Sequence, residues 1–372
     1  MAFGRHIGHA LPVLPGANLA PTANLFKKPV GSQAGNGQVM KYLKRVGIDG
    51  YMILLLLMVL VGIALPARGL AADILGQLTF WAVSLLFFLY GAKLDPRAVR
   101  AGLLNIRLQT LTFLATYALF PILGVALAWA FGSALGPELT LGLLFLAVLP
   151  STVQSSIAFT SIAGGNIPAA ICAASLSNII GVVLTPFLVA KLLHMDGGGV
   201  SLGAIQKIGV QILLPFVVGQ LLRPLIGGFV ARHRLLTMIV DRGSILLIVY
   251  SAFSAGTRAG LWTTIPASAM VVSLLVVLLF MALAMGVMTA AGRAFRLPDP
   301  DQSVLFFCGS TKSLASGLPI ASAIFPAATV GATVLPVMMY HMIQLLICSF
   351  LAQKKARQNA LSTAATHRSE PR

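Results

Sequence analysis

Two short polar stretches interrupt an otherwise apolar chain: Leu149-Pro150-Ser151-Thr152-Val153-Gln154-Ser155-Ser156 and Phe307-Cys308-Gly309-Ser310-Thr311-Lys312-Ser313. Proline removes a backbone donor and clashes with the preceding turn, and runs of Gly and Ser weaken a helix, so both stretches are expected to unwind. Unwinding leaves free carbonyls, which suit cations, and half-helix N-termini, which suit anionic groups. The candidate binding residues are Pro150, Ser151, Thr152, Gln154, Ser155 and Ser156 in the first interruption, with Gly309, Ser310, Thr311, Lys312 and Ser313 in the second. A single proline kink packed by hydroxyl groups is ordinary in a membrane helix. Two, at matching places in the halves of the chain, point to a site.

Lys312 lies about nine residues inside its apolar segment. A charged side chain at such depth costs ~2.5–3.5 kcal/mol on insertion scales and usually faces a polar interior. All nine Asp and Glu residues fall in loops, tails or segment ends, so no acidic partner is expected for it within the membrane. Three roles are open: attracting an anionic substrate, occupying the place of a coupling ion, or titrating during transport. Snorkelling to an interface is the alternative, and the depth makes it hard. Asn178 and Ser175 are placed to add oxygen ligands to the first interruption, or else only to bond between helices. His341 and Gln344 form a polar stripe that serves either a proton relay or packing, and Thr116 and Gln109 complete the candidates.

The elements that must carry these residues are membrane helices. The 372 residues are 58% hydrophobic and 9% charged, against roughly 25% charged in soluble chains. Apolar runs of ~20 residues recur, the length that crosses a hydrocarbon core. Ten are read, at 48–66, 73–92, 107–131, 141–163, 167–191, 208–230, 236–256, 266–291, 303–324 and 332–352. Lys and Arg divide 21 to 4 between alternate connections when both termini are placed in the cytoplasm, the bias expected of a multi-pass protein of the bacterial inner membrane. The formal charge of +17 lies at segment ends and in tails with no basic stripe, which excludes a nucleic-acid surface.

Residues 1–46, rich in Pro and Gly, read as a disordered cytoplasmic tail, with Met40 as an alternative start. Residues 47–193 and 194–353 each hold five segments, and an odd number forces the second half to be inverted relative to the first. Residues 354–372 read as a disordered basic cytoplasmic tail. Cys172, Cys308 and Cys348 are scattered in apolar segments and form no disulfide framework. No structural metal motif, nucleotide-binding loop or nucleophile elbow is present, so no enzyme and no cofactor is expected.

Three segments together carry a resemblance: Leu89-Tyr90-Gly91-Ala92-Lys93-Leu94-Asp95-Pro96-Arg97, Leu149 to Ser156, and Phe307 to Pro319. From about Met40 to Lys355 the chain resembles the bile acid:sodium symporter superfamily, in particular its SBF-like branch. The resemblance implies an all-α fold of about ten membrane helices in two inverted five-helix repeats. Segments 1, 2, 6 and 7 would form a panel domain, and the other six a core domain in which broken segments 4 and 9 cross. It also implies that Ser155 and Ser156 match sodium ligands, which makes Na+ the candidate coupling ion. Phe307 stands where sodium-coupled relatives carry a Glu, Lys312 where they carry Asn, and Thr116 where they carry Gln. Two-sodium coupling is thereby in doubt, and Lys312 is a candidate electrostatic substitute for one cation.

The expectation is a secondary active transporter of an organic anion, bile-acid-like or another carboxylate or sulfated solute, working by alternating access in the lipid bilayer. A cation/proton exchanger of related crossing-helix fold and a non-transporting membrane regulator are the competing readings.

Overall fold

The computed structural model describes residues 50–93, 105–192 and 209–369. The expected N-terminal tail and the Met40 start lie outside these residues, as does most of the connection after Lys93. Among the described residues every regular element is helical. In chain order they are α1 (Gly50–Ala64), α2 (Leu70–Lys93), α3 (Ile106–Leu114), a wide π turn (Ala115–Leu119), α4 (Phe120–Val148), α5 (Gln154–Ile162) and α6 (Ile167–Leu192). A second π turn (Gly209–Leu213) leads into α7 (Leu214–Arg232), followed by α8 (Arg234–Arg258), the single turn α9 (Leu261–Thr264), α10 (Ala267–Ala294), α11 (Asp299–Ser310), α12 (Leu314–Ile324) and α13 (Ala327–Ser369).

Among the described residues, eight helical stretches are long and apolar enough to cross a membrane. Their outer surfaces confirm which solvent they meet: Trp129 is 90% exposed and Leu225 80%, with Leu70 and Leu221 also standing clear of the protein. Leucine and tryptophan in such numbers on an outer surface match lipid rather than water. The chain is a multi-pass integral membrane protein.

One long stretch, Ile106–Val148, covers the third expected segment and the start of the fourth. It is broken where the sequence placed a connection, since Gly136 takes φ 75°, ψ 169° ahead of Pro137. That left-handed backbone is accessible to glycine, and proline cannot continue the preceding helix. At the other end of the chain, α13 runs on to Ser369, across the boundary at 353 where a tail was expected to begin.

Packing follows small residues. α7 lies along α2 and α8 along α1. A Cβ at Gly219 would fall 2.0 Å from the Phe88 carbonyl, and one at Gly91 2.1 Å from that of Phe216, so the two glycines let the backbones of α2 and α7 touch. Lys93 at the end of α2 forms an ion pair with Asp241. Asp241 sits two turns inside α8, deeper than a segment end, and the lysine from the adjacent helix is what makes that tolerable. The stretch Asp299–Ile324, which contains the second interruption, is almost wholly enclosed by the other helices, the condition under which irregular backbone survives at membrane depth.

Candidate functional site

Both interruptions are real breaks in helical backbone. α4 ends at Leu149, which turns extended (φ −72°, ψ 150°), and α5 resumes at Gln154. α11 ends at Thr311, also extended (φ −100°, ψ 151°), and α12 resumes at Leu314. The breaks meet: the Ser313 amide donates to the Pro150 carbonyl at 2.8 Å. Beside that contact lies a knot of hydroxyls. Thr311 Oγ1 is 3.1 Å from both Ser151 Oγ and Thr152 Oγ1, and Ser155 Oγ donates to Thr152 Oγ1 at 2.7 Å. Asn178 on α6 ties the two breaks a second time. Its Nδ2 donates to the Ser151 carbonyl at 2.7 Å, and its Oδ1 accepts from Ser316 Oγ at 2.7 Å.

A helix end leaves its last carbonyls without intrahelical partners, and buried orphans are costly. At the first break the carbonyls from Leu146 to Thr152 each have a partner. Leu146 takes the Leu149 amide, Val148 takes Thr185 Oγ1 at 2.9 Å, and Ala147 and Leu149 take Lys312 Nζ at 3.2 and 2.7 Å. Pro150 takes Ser313, Ser151 takes Asn178, and Thr152 takes the Ser156 hydroxyl.

Lys312 has a third carbonyl partner, that of Thr116 at 3.1 Å, and its origin is local. In the π turn the Phe120 amide bonds to Ala115, five residues back, so in the same register the donor for Thr116 would come from residue 121. That residue is Pro121, which has no N–H. The Phe120 ring closes the cage, its centroid 3.9 Å from Nζ. Three acceptors suit the three N–H bonds of an ammonium. The side chain is 1% exposed.

The second break is satisfied differently, by neutral side chains of α13. Gln344 Oε1 accepts from the Lys312 amide and its Nε2 donates to the Lys312 carbonyl, both at 2.8 Å, while Tyr340 Oη donates to the Ser310 carbonyl at 2.6 Å. Ser313 Oγ caps the first turn of α12 through the Ser316 amide.

Of the residues singled out from sequence, the fold brings together Pro150, Ser151, Thr152, Ser155, Asn178, Ser310, Thr311, Lys312 and Ser313. Ser156 spends its hydroxyl on carbonyls of its own first turn. Gln154 is exposed and Ser175 half-buried. Gly309 packs against Met288 on α10, where a Cβ would meet the sulfur at 2.6 Å. Thr116 contributes its carbonyl, because its hydroxyl bonds back to Thr112 at 3.0 Å. His341 Nδ1 is 2.9 Å from Gln344 Nε2, and Gln109 bonds the Ala169 carbonyl. Phe307 is a core residue whose ring lies tilted against that of Phe159. The sequence reading missed Tyr340, Thr185, Ser316 and Phe120. Tyr340 stands one turn before Gln344, and Phe120 directly precedes the proline that orphans Thr116; those spacings were the available signals.

A multi-pass membrane protein organised around two buried helix breaks that meet has the build of a solute transporter. The chain belongs to the SBF-like CPA transporter family, whose model matches residues 49–357. It is 46% identical over 318 residues to "Uncharacterized protein PA2026" of Pseudomonas aeruginosa, covering 85% of this chain and 96% of that one. It is 42% identical over 311 residues to "Putative symporter YfeH" of Escherichia coli K12, covering 84% and 94%. Identity to "Sodium/bile acid cotransporter 7" of Mus musculus is 25% over 283 residues, 73% and 81% of the two chains. The protein is a membrane transporter of a small molecule and not an enzyme.

Proposed function

We propose that this chain is a secondary active transporter of an organic anion, with its site at the crossing of the two breaks. The observation that carries the reading is the direct joining of the breaks through Ser313 and Pro150, flanked by the hydroxyls of Ser151, Thr152, Ser155 and Thr311. The N-termini of α5 and α12 begin at these breaks, and their partial positive charge suits an anionic solute. Val153, Gln154 and Ala315 are exposed beside them, marking the side from which a solute would arrive.

Counting α1, and dividing Ile106–Val148 at Gly136, yields ten crossings and two halves of five. The pairing of α2 with α7 and of α1 with α8 supports reading these four as the panel domain. The remaining helices would then form the core domain that rocks against it, with both termini cytoplasmic. Lys312, turned onto carbonyls, does not present its charge to a solute, so anion recognition falls to the helix ends and hydroxyls.

The test is uptake of radiolabelled organic anions, a bile salt and a smaller carboxylate among them, into proteoliposomes with and without a sodium gradient. Saturable uptake that Thr311→Val and Ser151→Ala weaken supports the reading. Saturable uptake indifferent to both substitutions would place the site elsewhere.

A further inference from the structure

We propose that the Lys312 ammonium is a tethered cation filling a monovalent-cation site made of main-chain carbonyls, and that transport by this chain therefore needs no sodium ion at that position. The inference rests on reading the crossed breaks as the transport site.

The argument is one of ligand chemistry. Nζ has the carbonyl oxygens of Thr116, Ala147 and Leu149 at 3.1, 3.2 and 2.7 Å and an aromatic face at 3.9 Å. Three carbonyls satisfy the three donors of a buried ammonium, and the same three oxygens would serve a bare monovalent cation. A convergent shell of carbonyls from unwound backbone and a half-helix C-terminus is how membrane transporters bind sodium. Each carbonyl is there for a backbone reason, two at the break after α4 and one because Pro121 cannot bond it. The cage therefore exists whatever side chain stands at position 312. Left empty it would gather three carbonyl dipoles, negative ends inward and near the C-terminus of α4, with nothing between them. The shell holds no carboxylate, which disfavours a divalent ion. Nor is it open to an anion, since every contact to Nζ is an acceptor or a π face.

If the lysine takes the place of an ion, removing it should restore the ion. Thermal unfolding of the purified full-length protein is measured in choline, sodium and potassium chloride at equal ionic strength, for wild type, Lys312→Ala and Lys312→Met. Wild type is expected to unfold at one temperature in all three salts. Lys312→Ala is expected to be destabilised in choline and to recover by several degrees in sodium or potassium, the shift growing with the logarithm of cation concentration. Lys312→Met keeps the volume without the charge, so it is expected to be destabilised and indifferent to the salt.

A folded Lys312→Ala protein that ignores the cation overturns the proposal, as does a wild type stabilised by sodium as strongly as that variant. Where Lys312→Ala fails to fold in every salt, Lys312→Met decides: wild-type stability there means that the carbonyls need no cation and overturns the proposal, whereas a loss supports it. No organic anion enters this measurement, so an incorrect substrate class leaves its outcome intact.

Discussion

Both helix breaks leave main-chain groups without intrahelical partners, and they resolve them with different chemistry. At the first break, the carbonyls of Ala147 and Leu149 converge on an ammonium brought from the second. At the second, the peptide of Lys312 is bracketed by Gln344, a neutral amide that imitates a neighbouring peptide and is fully buried. Charge is used once and polarity elsewhere. A neutral amide gives one donor and one acceptor to a single peptide and so splices a gap. Three carbonyls pointing at one volume need something positive. The difference gives the second break the work of bracketing the Lys312 peptide and the first that of housing the Lys312 side chain.

The largest effect is expected from Gln344→Leu, which strips both partners from the Lys312 peptide. With each buried orphan costing about 1–3 kcal/mol, the loss should be about 2–6 kcal/mol, read as the unfolding midpoint in detergent. Wild-type stability in this variant would deny the splicing role. Next come Thr185→Val and Tyr340→Phe, which each remove one hydroxyl donor, at the first and second break respectively. Interhelical hydrogen bonds inside membranes are worth about 0.6–1.7 kcal/mol, so the two should cost alike; a much larger loss at either one would show that the breaks are not balanced as described.

Pro121→Ala sharpens the comparison from the side of the cage. It returns an N–H at the position that the Thr116 carbonyl lacks, so in a Lys312→Ala background it should recover about 0.5–1.5 kcal/mol relative to the sum of the single changes. Strict additivity in that double-mutant cycle would separate Pro121 from the cage. The smallest change in stability, within about 0.5 kcal/mol, is expected for Ser155→Ala, whose hydroxyl is half-exposed and bonds only Thr152. If Ser155 belongs to the solute site, uptake should still fall, and unchanged uptake kinetics would remove it.

Much of the architecture was legible along the chain. Apolar runs of membrane length, the breaks at Pro150 and Gly309 to Ser313, and the connection at Gly136 all follow from local composition, because lipid imposes one demand on every crossing segment: no unsatisfied backbone. The resemblance read from three motifs led to the family that the comparison gives. Less was legible at the site. Ser156 follows the same proline as Ser155, yet one hydroxyl turns back on its own helix and the other joins the knot. Their order in sequence does not reveal that difference, and it is the Thr152 hydroxyl bonded by Ser155 that goes on to meet Thr311.

What the sequence determined by itself was the solvent, the helices and the places where they fail, since hydropathy, proline and glycine act within a few residues. Only the tertiary structure decided where Lys312, deeply buried, points. Lys312 reaches carbonyls 163–196 positions away in the chain, and a long side chain with several rotatable bonds settles on whichever orphaned oxygens the packing of α4 and the π turn bring within its reach.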